Sequence, residues 1–247
     1  MTLTTSAFLD RLSKHNFLCS DTLLVEDVAF NPDEFLNGLG RLGFAPKASS
    51  DGLVSTVHEA YDPVDFNKQS SNFDFHTDGL YYSAVPEFVL LYCMSPGNGM
   101  TRTAFADTRP VASAILKDPQ LSFLQHTEIV WVGKDAADYA QPLLHPHPRT
   151  GEPVLHATAR GFVRPRVTTD QIAHTPSLRE FITIQQRLFN LLDQNIVERH
   201  EWQQHEALIF DNCTFIHARE SLGDNPDREL LRIWFSRDSV RSDNRKH

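Results

Sequence analysis

Cysteine is scarce in this chain of 247 residues: Cys19, Cys93 and Cys213 stand too far apart to form a paired metal motif or a disulfide framework. Such usage suits a reducing compartment, so the cytoplasm is the expected location. Long apolar runs are missing too; none approaches the roughly 18 residues needed to cross a bilayer. The opening residues carry Asp10, Arg11 and Lys14 among short apolar groups and do not read as a secretory signal. Positive charge is in deficit, with 23 Lys and Arg against 32 Asp and Glu and a formal net charge of −9. Nucleic acid is therefore not an expected partner, nor is a membrane, although a local basic pocket is compatible with this balance. Internal repeats, low-complexity tracts and obvious linkers are absent, so residues 1–247 are expected to form a single domain.

The hydrophobic content of 40%, including 17 Phe, is enough for a substantial core. Strand-like patterns dominate. Glu87–Met94, Thr101–Asp107 and segments near 128–133, 153–158, 162–168, 207–211, 214–218 and 230–237 all read as strands. Helices are fewer. Pro32 opens a short one, and Thr108, Arg109 and Pro110 open another toward Lys117. The longest is expected from an N-cap at Thr175, with Pro176 in its first turn, to about Asn195. Its apolar stripe is Leu178, Phe181, Ile182, Leu188, Phe189 and Leu192, with Gln185 among them. Many strands with few covering helices predict a mainly β fold, a double-stranded β-helix or jelly roll. Residues 1–57 are expected to flank that core, 58–237 to form it, 175–195 to be a helical insert, and 238–247 to be a charged, frayed tail.

The chemistry concentrates in the run Asn72-Phe-Asp-Phe-His76-Thr-Asp78-Gly-Leu-Tyr-Tyr82. His76 and Asp78 are two residues apart, and alternate side chains of a strand share a face. Gly79 allows a sharp exit after them. A second histidine, His217, ends the strand-like Thr214-Phe-Ile-His217 after the turn-like pair Asp211-Asn212. Two imidazoles and a carboxylate are the facial ligand set of a non-haem Fe(II) oxygenase, which leaves three positions open. His126-Thr-Glu128 is a rival pair, since Glu also ligates. Downstream, Arg232 stands inside an apolar run, and an arginine in such a strand calls for an anion nearby.

Together His76-x-Asp78, Thr103, His217 and Arg232 resemble the iron- and 2-oxoglutarate-dependent dioxygenases of the taurine dioxygenase type, the TauD/TfdA group. Further support comes from His147-Pro-Arg-Thr-Gly151, similar to a family strand opening, and from Trp202–Asn212, similar to the strand before the distal histidine. The resemblance covers roughly residues 58–237. It implies a jelly roll with Fe(II) held by His76, Asp78 and His217, and with 2-oxoglutarate and O2 as cosubstrates. It implies that Arg232 and Thr103 grip the far carboxylate of 2-oxoglutarate and that Arg228 lies near the primary substrate. Family members that halogenate lack the carboxylate ligand; Asp78 is present here, so hydroxylation is expected, with desaturation or cyclisation as further outcomes. Two departures stand out: the turn before Thr103 is poor in glycine, and His205-Glu206 occupies a place where the family often has Gly-Asp.

Asn72 is a candidate substrate contact or loop cap. Arg160 and Arg164 are further candidates for an acidic group. The expected substrate is a small molecule, an amino acid or related small acid, and a homo-oligomer is compatible with the sequence. His145, His147 and His156 form a superficial metal pattern, but their match to the family strand opening favours a structural role. Cys213 reads as a small buried thiol. Two other classes use the same residues: a non-catalytic jelly-roll metal-binding protein, and a Zn-dependent hydrolase, against which the tetrahedral preference of zinc counts.

Overall fold

A computed structural model describes residues 1–15, 21–58, 73–80, 82, 84–99, 101–132, 138–158, 165–167, 178–221 and 227–238. Two curved sheets face each other as a jelly roll. The larger has seven strands: β1 (Leu3–Thr4), β2 (Leu23–Ala29), β3 (Phe44–Lys47), β4 (Val54–His58), β6 (Phe88–Pro96), β14 (Glu206–Asp211) and β16 (Arg228–Arg237). Its order is β1-β2-β14-β6-β16-β3, with β4 also pairing to β16. The smaller runs β13-β7-β15-β5, from β5 (Phe73–His76), β7 (Thr101–Asp107), β13 (Ile196–Glu201) and β15 (Phe215–Ser221). Beside them lie a three-stranded sheet of β8 (Thr127–Val132), β9 (Asp138–Pro142) and β12 (Pro165–Val167), and a hairpin of β10 (Leu144–Pro146) and β11 (Pro153–Leu155).

Period-two alternation builds three cores from these layers. In β6, Phe88, Leu90 and Tyr92 point outward to helices α1 (Thr5–Lys14) and α2 (Pro32–Leu39), while Val89, Leu91 and Cys93 point between the sheets. β14 follows the same rule, with Ala207 and Ile209 outside and Leu208 and Phe210 inside. So does β16: Ile233 and Phe235 join the outer core, while Leu230 and Trp234 face inward. In β7 and β15, Ala104, Ala106, Ile216 and Ala218 face outward, toward α3 (Thr108–Lys117) and α4 (Leu178–Gln194). Their inward neighbours Thr103, His217 and Arg219 line the interior. The inner faces thus deliver polar groups to a sandwich that is otherwise apolar.

Several expectations shift. The first 57 residues do not merely flank the core, because β1 to β4 are strands of the larger sheet. The adjacent charges Glu26 and Asp27 of β2 hid this role from a pattern reading. In α4, Leu188 and Leu192 are buried as expected, but Ile182 is 49% exposed. Phe189 packs on the core as expected, and Ile184 and Leu191 join it there, so the stripe is shifted at one edge. Thr175, Pro176 and the tail lie outside the described residues. Among the described residues no helix is long and apolar enough to cross a membrane. The departure at His205 has a physical reading. This residue adopts φ 73°, the only left-handed non-glycine among the described residues, where a glycine is the low-cost choice. His205 Nδ1 meets the Tyr92 hydroxyl at 2.9 Å, a contact that glycine cannot make.

Gly79 turns the chain with φ +80°, and a Cβ there would meet Pro86 Cδ at 2.4 Å. Both the left-handed backbone and the clash oppose any side chain. Gly79→Ala should therefore lower unfolding free energy by roughly 2 kcal/mol or more. Urea denaturation of parent and variant measures this, and an unchanged midpoint would contradict it.

Candidate metal centre and cleft

The pairing of β5 with β15 brings the triad together. His76 and His217 are direct cross-strand partners, with ring centroids 4.1 Å apart. Asp78 lies just beyond the end of β5, and its Oδ1 is 3.5 Å from His76 Nε2. One ligand atom from each of His76, Asp78 and His217 lies within 4.8 Å of the others. His126 and Glu128 join no such group among the described residues.

The chain around the ligands is tied down. Thr77 N–H donates to Ala157 O at 2.8 Å, and Ala157 N–H returns to Thr77 Oγ1 at 3.3 Å. The buried Asn212 side chain brackets Asp78: its Oδ1 accepts from Asp78 N at 3.0 Å, and its Nδ2 donates to the Asp78 and Pro86 carbonyls at 3.0 and 2.9 Å. The Asp78 carboxylate accepts from Trp234 Nε1 at 2.9 Å and from Arg232 at 3.3 and 3.5 Å. Asn212 and Trp234 were not singled out from sequence. Asn212 looked like an ordinary turn residue, and Trp234 like core; only its alternation with Arg232 hinted at an inward position.

Electrostatics suit a cation. Burial by itself raises the Asp78 pKa, but Arg232 and the two histidines outweigh that and hold it well below the usual carboxylate range. Burial, with a contribution from nearby His76, pushes His217 down to about 3, although Asp78 pulls the other way. His217 is thus a neutral imidazole with a lone pair to offer, and its Nδ1 is buried with no hydrogen-bond partner among the described residues. A neutral imidazole, an ionised carboxylate and a second imidazole fit Fe(II) in a facial triad.

A cleft opens beside the triad and is lined by Thr103, Arg219, Arg228 and Arg232 together with apolar Val57, Leu91 and Leu230. The arginine and threonine expectations are rearranged here. Thr103 Oγ1 accepts from Arg228 at 3.3 Å and from Trp202 Nε1 at 2.9 Å, not from Arg232. Arg232 reaches Asp78, and its Nε donates to Ser55 at 3.2 Å. Both arginines are on the inward face of β16, so residue spacing alone could not tell which one meets Thr103. Arg219, two residues after His217 on the same face, was not anticipated. Asn72, Arg160 and Arg164 lie outside the described residues.

A second set of potential ligands, His147, Asp211 and Cys213, is buried behind the site. It is committed to internal bonds. His147 Nδ1 accepts from the Arg149 and Thr150 amides at 3.2 Å each, so Nε2 carries the proton that it donates to Asp211 at 2.9 Å. Arg149 also pairs with Asp211 and Glu87. Burial, and after it Asp211, pushes the Cys213 thiol far up, so it stays protonated. This network anchors the β10–β11 hairpin to β14.

The comparisons with known proteins agree with the geometry. Residues 22–234 match the model of the taurine catabolism dioxygenase TauD, TfdA family. The chain belongs to that family. It is an enzyme, an Fe(II)- and 2-oxoglutarate-dependent oxygenase that uses O2. The tyrosine isonitrile desaturase of Pseudomonas aeruginosa is 30% identical over 241 residues, covering 82% of this chain and 80% of its own. The 3-((Z)-2-isocyanoethenyl)-1H-indole synthase of Fischerella ambigua is 29% identical over 192 residues, covering 72% of this chain and 67% of its own. Among solved structures, PvcB, an Fe, alpha-ketoglutarate dependent oxygenase from an isonitrile synthetic pathway, superposes with a TM-score of 0.65 at 20% identity, over 96% of this chain and 85% of its own. Asparagine oxygenase gives 0.65 at 16% identity, over 95% of this chain and 79% of its own. At such identities the structures speak for the fold, the jelly roll described above.

Two predictions follow from the triad. His76→Ala, Asp78→Ala and His217→Ala should each abolish turnover and weaken anaerobic Fe(II) binding by at least about tenfold, because each removes one of three ligands. Unchanged titrations in all three would rule the triad out. The second concerns pH in the metal-free protein. His217 protonates near 6.5 when unfolded but only near 3 when folded. The unfolded state therefore takes up the extra proton, and stability present above pH 6.5 is lost as pH falls toward 3. The loss between pH 7 and 5 is about 2 kcal/mol from this residue. Urea unfolding at both values should show a smaller difference in His217→Gln; an equal difference would refute the assignment.

Proposed function

We propose that this oxygenase oxidises an unactivated C–H bond of a small acid derived from an amino acid, with release of succinate and CO2. The carrying observation is the cleft wall, where three arginines, Arg219, Arg228 and Arg232, stand beside the triad. Three guanidinium groups give this pocket a positive field inside a chain of net charge −9, which favours dianionic 2-oxoglutarate and an acidic primary substrate.

In this reading the two arginines of β16 exchange their expected roles. Arg228, 2% exposed, and Thr103 hold the far carboxylate of 2-oxoglutarate. Thr103 supports this chemically: its hydroxyl accepts from Trp202 and Arg228, which uses both lone pairs and leaves its proton to donate to a carboxylate. Arg232 steadies Asp78 and, with Arg219, faces the acid group of the primary substrate. Fe(II) held by His76, Asp78 and His217 supplies, with 2-oxoglutarate and O2, the oxidising power for hydrogen abstraction. The chain's own task is to orient both acids and keep water out, and apolar Val57, Leu91 and Leu230 serve the second purpose.

Hydroxylation is the expected outcome, since Asp78 fills the position that halogenating members of the family leave open. Desaturation is the alternative that the relatives favour, because the tyrosine isonitrile desaturases carry that reaction in their names. It would start from the same hydrogen abstraction. The deciding experiment follows succinate over a panel of amino acids, their N-isocyano derivatives, aryloxy acids and sulfonates, with matched neutral esters and amides. Product mass then separates added oxygen from lost hydrogen. Turnover of the neutral analogues alone would sink the acid reading.

Arg228→Ala should weaken 2-oxoglutarate binding by roughly 2–5 kcal/mol, as expected when one partner of a buried charge pair is removed. Arg228→Lys keeps the charge but loses the planar fork, and should fall between. Anaerobic titration of the Fe(II)–2-oxoglutarate charge-transfer band measures both. Arg232→Ala should instead raise KM for the primary substrate. The reverse pattern would return the arginines to their original assignment.

A further inference from the structure

We propose that Trp234 is a positioning residue that makes Asp78 a one-oxygen ligand. The inference rests on the triad as the metal centre, and it concerns how the carboxylate is presented. Asp78 Oδ2 accepts from Trp234 Nε1 at 2.9 Å, a full-strength hydrogen bond. The Arg232 contacts to the two oxygens, at 3.3 and 3.5 Å, are long and nearly equal, so they do not distinguish one oxygen from the other. Trp234 does. It engages Oδ2, leaving Oδ1 beside His76 Nε2 at 3.5 Å.

An indole N–H suits this role. It only donates, it does not titrate near neutral pH, and it cannot itself bind a cation. Its position is fixed on several sides. The Arg232 guanidinium carbon lies 4.7 Å from the Trp234 ring centroid. Tyr82 meets the ring edge-on, with centroids 5.4 Å apart, and the Tyr82 hydroxyl accepts from Ser50 N–H at 2.7 Å. Trp234 is 6% exposed, and Arg232 and Trp234 project from the same face of β16. A rigid donor from the last strand thus reaches a carboxylate on the turn after β5.

The consequence is coordinative. A carboxylate free to swing can close on a metal with both oxygens. In a centre that needs three open positions for a chelating 2-oxo acid and O2, a second carboxylate oxygen would occupy one of them. By engaging Oδ2, Trp234 keeps that position for cosubstrates. The outer partner of the ligand sets how many sites the metal has to offer.

The test uses two variants of the full chain. Trp234→Phe removes the donor and keeps an aromatic ring. Site-specific replacement of Trp234 by β-(3-benzothienyl)alanine keeps the shape and exchanges N–H for sulfur. Each is loaded anaerobically with Mn(II), and water-proton relaxation counts the exchangeable waters on the ion. The parent should show about three and both variants about two. Affinity for 2-oxoglutarate should fall about tenfold in both, while Mn(II) affinity changes less than about threefold, since all three ligand residues remain. Full hydration and full 2-oxoglutarate affinity in the benzothienyl variant would overturn the inference and leave Trp234 as packing. No Mn(II) binding by the parent would overturn the metal centre itself, and this inference with it.

Discussion

The site depends on one antiparallel contact, the cross-strand pairing of His76 with His217. Everything else in the cleft is arranged around it. β15 is held on its other side by β7, so Thr103 is drawn in next to Arg219 by the same register. The larger sheet then closes over this pair from the opposite side and contributes Arg228, Arg232 and Trp234 from one face of β16. The candidate metal ligands and the groups that surround them therefore come from two sheets. Their relative position is set by the apolar layer between the sheets, where Phe105, Phe210 and Trp202 are buried. Packing at that layer is what turns separate polar residues into a centre with defined geometry.

Asp78 shows how the fold manages a buried charge. An isolated carboxylate at 3% exposure would be driven to protonate. Here the guanidinium of Arg232, the indole of Trp234 and the neighbouring imidazoles keep it ionised, and Asn212 fixes the backbone that carries it. A metal cation would deepen that stabilisation. The same logic separates the triad from the His147–Asp211 cluster: there the carboxylate is already saturated by Arg149, His147 and the Cys213 and Thr214 amides. Similar residue types do different work because one set is tied up in internal bonds, while His76 and His217 of the other line the cleft.

Much of this was legible in the sequence, and the parts that were not share a cause. His76, Asp78 and His217 were readable because the first two are neighbours in the chain and the third follows a recognisable turn and strand. The strands flanking them alternate cleanly. Arg228 and Arg232 were harder. Four residues apart on one strand, they project from the same face, and only the register of β16 against the rest of the roll decides which meets Thr103. Trp234 lies in an apolar stretch, indistinguishable from core filling until a donor distance is seen, and Trp202 sits in the polar run His200–Gln204, which gives no sign of its inward position. Arg219 was overlooked because its partner strands lie far away in sequence. The N-terminal strands were missed because the adjacent charges Glu26 and Asp27 interrupt the apolar pattern of β2, and β1 has only two residues.

The long separation of the triad members along the chain has a consequence for synthesis. A growing polypeptide exposes His76 and Asp78 well before His217 exists, and β16, which steadies Asp78, emerges later still. Pairings of such high sequence separation form slowly and only after most of the chain is available. The proposed ligand set is therefore complete only once the closing strands are in place. A half-built chain with the full ligand set would expose its own side chains as the nearest material to oxidise, and this order of assembly avoids that combination.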